Sequence, residues 1–339
     1  MNPQFASGGM PEQALPSLET LQKIAAKRQI RKTANRVGVA FLIMNAIMTL
    51  WSLPVFAIVR AVGGNPKEVY SFLSGEVFGN VLQIAVSSLA FLLSFRLLAA
   101  MQRKRCSDLI SFSRCSQKGL PAPLFLIGLG VCGFANIATV IAGNIFESLG
   151  FQYTVSGMDS TAHNPYGIVL SILATAITPA LVEEFAMRGM VFGSFRPYGE
   201  KLAVLASATL FSLMHGNFEQ IPFTFLMGLY LSYVTAKTGS VRLAILLHAA
   251  NNGFSLLNDY LCEGLSRRAV QAMSYGYLIL LTGCLFFGVL LLKKRGVEDL
   301  NLKKTPGPLT DGQQIGVFFS SPVILISIAV IGIRAVGLF

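Results

Sequence analysis

Charge is scarce in this sequence. Asp, Glu, Lys and Arg make up 13% of the 339 residues, about half the roughly 25% of an ordinary soluble chain. Hydrophobic residues make up 53%, and the mean hydropathy is +0.61. Apolar stretches recur at about the 20-residue length that a helix needs to cross hydrocarbon. Only helices or closed barrels can span a bilayer, and the short alternating segments of a barrel are missing. A C-x-x-C pair is also missing. Cys106, Cys115, Cys132, Cys262 and Cys284 are odd in number and dispersed, which excludes a disulfide framework. There is no internal repeat and no low-complexity tract. The fold class is therefore all-α, a polytopic transmembrane bundle of about eight to nine helical spans.

Acidic residues are the scarcer charge, 16 against 27 basic, for a net charge of +11. In a soluble protein that excess would raise nucleic acid as a partner. Here it reads as topology, with the lipid bilayer as partner and no nucleic acid. The candidate spans are 37–59, 77–98, 122–145, 166–190, 201–217, 219–236, 239–258, 273–292 and 315–337. With the N-terminus in the cytoplasm, only Arg60, Lys67, Arg267, Arg268 and Arg334 of the 27 Lys and Arg fall outside. That bias orients the chain N-terminus in and C-terminus out. The last span is interrupted by Pro322 and carries Arg334.

Residues 1–36 read as a basic cytoplasmic tail. Within it Leu18, Leu21, Ile24 and Ala25 line one side of an amphipathic helix, with Lys27, Arg28, Arg31 and Lys32 placed for anionic lipid. The tail is too long and polar for a signal-peptide n-region, so 37–59 is expected to be an uncleaved anchor. Spans 1–3 occupy 37–165, a chemically distinct core 166–256, and the C-terminal spans 257–339. An integral protein of a bacterial plasma membrane fits this pattern.

Polar residues inside the core stand out against the apolar background. Glu183 and Glu184 end a membrane-grade run that begins at Tyr166. A carboxylate at bilayer depth costs about 3 kcal/mol on insertion scales, and two in a row mark a functional site. The chain has three histidines, His163, His215 and His248, and the latter two fall in apolar helices. Counting about 1.5 Å per residue from the inner helix ends places Glu183 about 18 Å, His215 about 21 Å and His248 about 14 Å up, with Asn252 about 6 Å higher. One layer near the bilayer middle holds them all. Glu184 and Arg188 are four apart on one face and able to pair; the alternative is an Arg188 that snorkels to the inner interface. Glu183 points about 100° away and is left unpaired. His248 and Asn252 also share a face, whereas Asn251 points elsewhere. Gly216 and Asn217 are expected to end the helix of His215. His163, with Asn164 and Pro165, reads as a helix-start turn.

A carboxylate beside imidazoles can take a proton from water, and His248 with Asn252 can donate to an oxyanion. Those are the parts of amide hydrolysis. The set Glu183, His215 and His248 also suits a divalent metal such as zinc. Sequence spacing leaves the two open.

Glu183-Glu184-x-x-x-Arg188, Phe211-x-x-x-His215 and His248-x-x-x-Asn252, in that order and in apolar helices, resemble the motifs of the CPBP family of intramembrane proteases. That family includes type II CAAX prenyl endopeptidases and bacterial Abi immunity proteins. The resemblance covers about residues 166 to 256. It implies an intramembrane endopeptidase, described in the family both as a metalloprotease and as a metal-free glutamate enzyme. It assigns Glu183 as general base with His215, His248 and Asn252 as oxyanion hole, and Glu184 with Arg188 as the pair that orients the site. The implied partner is a peptide or membrane-protein substrate, including lipidated ones. The site-2 zinc signature His-Glu-x-x-His is absent, as is the Gly-x-Gly-Asp of presenilin-type enzymes. Ser194 lacks a rhomboid Gly-x-Ser-Gly setting. Two non-protease readings stand beside this one. A proton-coupled transporter would use Pro179 and Pro222 as helix breaks, although no second half repeats the charged segment. A non-catalytic scaffold or immunity protein would retain the pocket alone.

Overall fold

The computed structural model describes residues 16–148, 150, 164–297, 300–304 and 307–335. Twelve helices carry the fold among the described residues: α1 Leu18–Leu50, α2 Ser52–Ala61, α3 Pro66–Leu73, α4 Glu76–Gln102, α5 Pro121–Ser148, α6 Pro165–Phe195, α7 Glu200–Met214, α8 Ile221–Thr238, α9 Arg242–Cys262, α10 Arg267–Lys294, α11 Asp311–Phe319 and α12 Pro322–Ala335. No strand occurs among the described residues. The chain is an all-helical membrane-type protein, as its composition demands. Among the described residues five stretches are long and apolar enough to cross a bilayer: Leu18–Ala61, α4, α5, α6 and α10. A sixth results if α11 and α12 count as one span bent by 61°.

The three candidate spans at 201–217, 219–236 and 239–258 are helical as α7, α8 and α9 but do not meet that standard. At 15 residues, α7 is only about 22 Å long. Polar residues interrupt the other two, and several face inward to the cavity described below.

Nothing breaks the chain between the basic tail and the first span, so α1 runs through residue 36 as one rod of 33 residues. Its start is exposed at Leu18, Leu21 and Ile24, but from Ile30 onward one side is buried. Thr33 Oγ1 meets the Tyr198 hydroxyl at 2.9 Å. Asn35 Oδ1 accepts from Ser321 Oγ at 2.6 Å and from the Val323 amide at 3.4 Å. Those two bonds seat the bend ahead of Pro322, where the chain cannot continue a regular helix.

Two apolar clusters divide the interior. One joins α1, α4, α6, α7, α11 and α12 around Phe41, Phe95, Met187, Phe195 and Phe318. The other joins α5, α8, α9 and α10 around Leu124, Met227, Leu247 and Leu281. Outer faces carry apolar side chains such as Ile279, Phe286 and Val140, as lipid-facing surfaces should. The site residues lie where the two clusters meet. His163 lies outside the described residues.

Candidate active site

Local irregularity in α6 begins the site. Residues Ile172–Ile177 and Phe185–Val191 are wound as π-turns flanking the α-helical Thr178–Glu184. Pro179 is the cause that sequence can name, because it has no N–H to offer the Thr175 carbonyl four residues back. In the π register the Thr178 N–H bonds to Leu173, passing over Ala174. Two consecutive carbonyls thus lose their regular i+4 partners. Side chains from neighbouring helices meet them. Gln83 Nε2 of α4 donates to Ala174 O at 3.3 Å, and Asn252 Nδ2 of α9 donates to Thr175 O at 3.0 Å. Such rescue of freed backbone groups is what hydrocarbon requires.

The second π-turn carries Arg188 into the interior. Its side chain is 1% exposed, so it does not snorkel. Nη1 donates to Glu184 Oε1 at 2.9 Å and Nη2 to the Gly228 carbonyl at 3.2 Å. The guanidinium lies 4.1 Å from the Phe211 ring centre. Gly228 permits this approach: a Cβ there would lie 3.0 Å from the Ala208 backbone, so α7 and α8 touch closely and the carbonyl comes within reach. Glu184 Oε1 also meets His248 Nδ1 at 2.8 Å. A buried carboxylate is tolerable only when paired and hydrogen-bonded, and Glu184 has a partner on each side.

Glu184 Oε2, like Glu183 Oε2, is buried without a hydrogen-bond partner. Glu183 differs in lining open space, and its Oε2 sits 3.9 Å from His248 Nε2. His248 therefore lies between the two glutamates, held by one ring nitrogen and presenting the other to Glu183. His215 caps the end of α7, before Gly216 turns the chain at φ +66°. Its Nδ1 lies 2.8 Å from the Phe211 carbonyl. A carbonyl can only accept, so in the neutral ring the proton sits on Nδ1 and Nε2 keeps a lone pair. The Phe211 ring packs edge-on against both imidazoles, at 5.2 Å from His215 and 5.7 Å from His248.

These groups border a cavity of about 290 Å³, walled by Glu183, His215, His248, Asn252, Pro179 and Phe211, with Phe223, Met227 and Leu231 as an apolar side. Of the six expected site residues, Glu183, His215, His248 and Asn252 line this space together. Glu184 and Arg188 do not; they stand behind His248. Asn251 corrects the sequence reading. Rather than pointing elsewhere it lines the same cavity and donates to Asn252 Oδ1 at 3.2 Å. Gln83 and Gln220 also line it and were not singled out from sequence. The available signal for Gln83 was a polar stripe inside an apolar span: Asn80, Gln83 and Ser87 follow helical spacing along α4, and Asn80 Nδ2 meets Ser171 Oγ at 3.1 Å.

The metal candidates Glu183, His215 and His248 share the cavity without forming a ligand set. Among the described residues no group of three His, Cys, Asp or Glu side chains is placed to hold a metal ion. His248 Nδ1 is engaged by Glu184 and His215 Nδ1 by a carbonyl.

No curated protein and no solved structure matches the chain. The segment that supplies all of this cavity's lining but Gln83 does match: residues 165–254, about a quarter of the chain, fit the family described as type II CAAX prenyl endopeptidase, Rce1-like.

Proposed function

We propose that the cavity hydrolyses a peptide bond with a water activated by Glu183 and His215. The observation that carries this reading is the contrast between neighbours: Glu184 Oε1 is bonded to Arg188 and His248 away from the cavity, whereas Glu183 makes no such bond and lines the cavity. Glu183 accepts a proton from a water that His215 Nε2 helps to hold. The hydroxide adds to the peptide carbonyl. The resulting oxyanion is met by the His248 Nε2 proton and by the second hydrogen of Asn252 Nδ2. Glu184, itself held by Arg188, binds His248 at Nδ1, which allows the ring to carry a proton on Nε2 as well. The C–N bond then breaks, and Glu183 returns its proton to the leaving amine.

The matched family name supplies the substrate class, a prenylated peptide ending in Cys-aliphatic-aliphatic-X, presented from the membrane. The apolar wall of Phe223, Met227 and Leu231 is compatible with it. We further propose that α7, α8 and α9 cross the bilayer with the longer helices, for eight to nine spans, with the N-terminus cytoplasmic in a bacterial plasma membrane.

The decisive assay uses purified protein in nanodiscs with a quenched fluorescent farnesylated peptide of that sequence. Glu183→Gln is expected to lose on the order of 10²- to 10⁴-fold in turnover while inserting and melting like wild type. Undiminished turnover in Glu183→Gln would sink the mechanism. For orientation, a cysteine replacing Arg196 should react with an impermeant maleimide only after intact cells are opened. Labelling from outside would invert the topology.

A further inference from the structure

We propose that Gln83 is a substrate-positioning residue, accepting a backbone N–H of the bound peptide; this rests on the proteolytic reading above. Gln83 lies outside the matched segment, on α4, seven residues and about 10 Å into an apolar span. Its carboxamide is half used. Nε2 is committed to the Ala174 carbonyl at 3.3 Å, which fixes which end of the amide faces α6. Oε1 has no hydrogen-bond partner among the described residues, although the side chain borders the same cavity as Glu183 and His248. Gln83 is exposed, so Oε1 is open to a group that enters the cavity. A peptide segment there presents backbone N–H groups that need acceptors once water is displaced. Asn252 stands on the adjacent carbonyl, Thr175 O. The two amides thus form a short polar edge that backs onto the π-turn. Asn252 has its oxygen occupied by Asn251; Gln83 does not. Gln83 is therefore the open acceptor of the pair.

The test couples the residue to the substrate backbone. In a Glu183→Gln background, which binds without cutting, affinity is measured for the farnesylated Cys-aliphatic-aliphatic-X peptide and for versions N-methylated at each amide in turn. One N-methyl position should weaken binding about fivefold, the value of one neutral hydrogen bond. The same N-methyl group should add nothing once Gln83→Met is present. If Gln83→Met does not fold, Gln83→Asn keeps the amide while shortening its reach, and the same cycle applies. Identical N-methyl penalties with and without the substitution would overturn the proposal and leave Gln83 as a cap for Ala174. If wild type neither binds nor cuts the peptide, the proteolytic reading itself fails and this inference falls with it.

Discussion

The α5–α10 pair and the α6–α9 core solve the same membrane-packing problem by opposite means. The pair uses absence. A Cβ on Gly130 would lie 2.4 Å from Leu285 Cβ, and one on Gly288 would lie 2.9 Å from the Pro123 carbonyl. Small residues let the two helices close on each other, the usual route to packing where no hydrophobic force drives association. The core uses polar groups. Glu184, Arg188 and His248 form a continuous buried chain of 2.9 and 2.8 Å contacts, and Gln83 and Asn252 cap carbonyls that Pro179 and its π-turn release. Glycine packing is tolerant of what it holds, since only shape matters. A buried ionic chain needs every member, and this one leaves the neighbouring carboxylate, Glu183, open to the cavity.

The contrast is broken most sharply by Arg188→Ala. Glu184 and His248 would then remain buried without the guanidinium. Loss of one partner from a buried ion pair costs about 3–5 kcal/mol, so folded yield and thermal stability in detergent should fall together with turnover. Normal melting would mean the chain is not held by charge. Pro179→Ala has the next largest effect on turnover. It restores an N–H that competes with Asn252 for the Thr175 carbonyl, and releasing Asn252 should lower kcat/KM about tenfold, near 1.4 kcal/mol in the barrier. The protein should stay folded, so kinetics and melting measured side by side separate this case from Arg188→Ala. Gly130→Ala should act on stability alone, by about 1–3 kcal/mol as overpacking forces α5 and α10 apart. Its kcat/KM should stay within about twofold, inside the spread expected for a site with no shared partners. A larger loss of activity would show that the pair and the core are not separate packing units.

Much of the site was legible because it is local. The i, i+4 spacing of Glu184 and Arg188 placed them on one face, and the pair exists at 2.9 Å. Asn252 follows His248 by the same interval and lines the same cavity. Gly216 ends α7 with a positive φ, as a residue without a Cβ can. Less legible was anything that depends on a neighbouring helix. A single helix places Asn251 off the His248 face, yet the approach of α6 to α9 turns the cavity toward both asparagines. Gln83 sits 91 residues before the Ala174 carbonyl it caps, and hydropathy treats it as one polar defect in a span. The continuity of α1 past residue 36 was hidden too, since charge marked a boundary where the backbone has none.

The sequence by itself determined the all-helical membrane character, because a charge-poor chain with long apolar runs has no other way to satisfy its backbone in lipid. It also marked the polar residues that gather at the cavity, because Glu, His and Arg in apolar helices are too costly to go unnoticed. Only the tertiary structure decided their contacts. Adjacent glutamates are indistinguishable in a string of letters. What separates Glu183 from Glu184 is that α8 brings the Gly228 carbonyl to Arg188 while α9 brings His248 to Glu184, and these contacts across helices leave one carboxylate bound and the other facing open space.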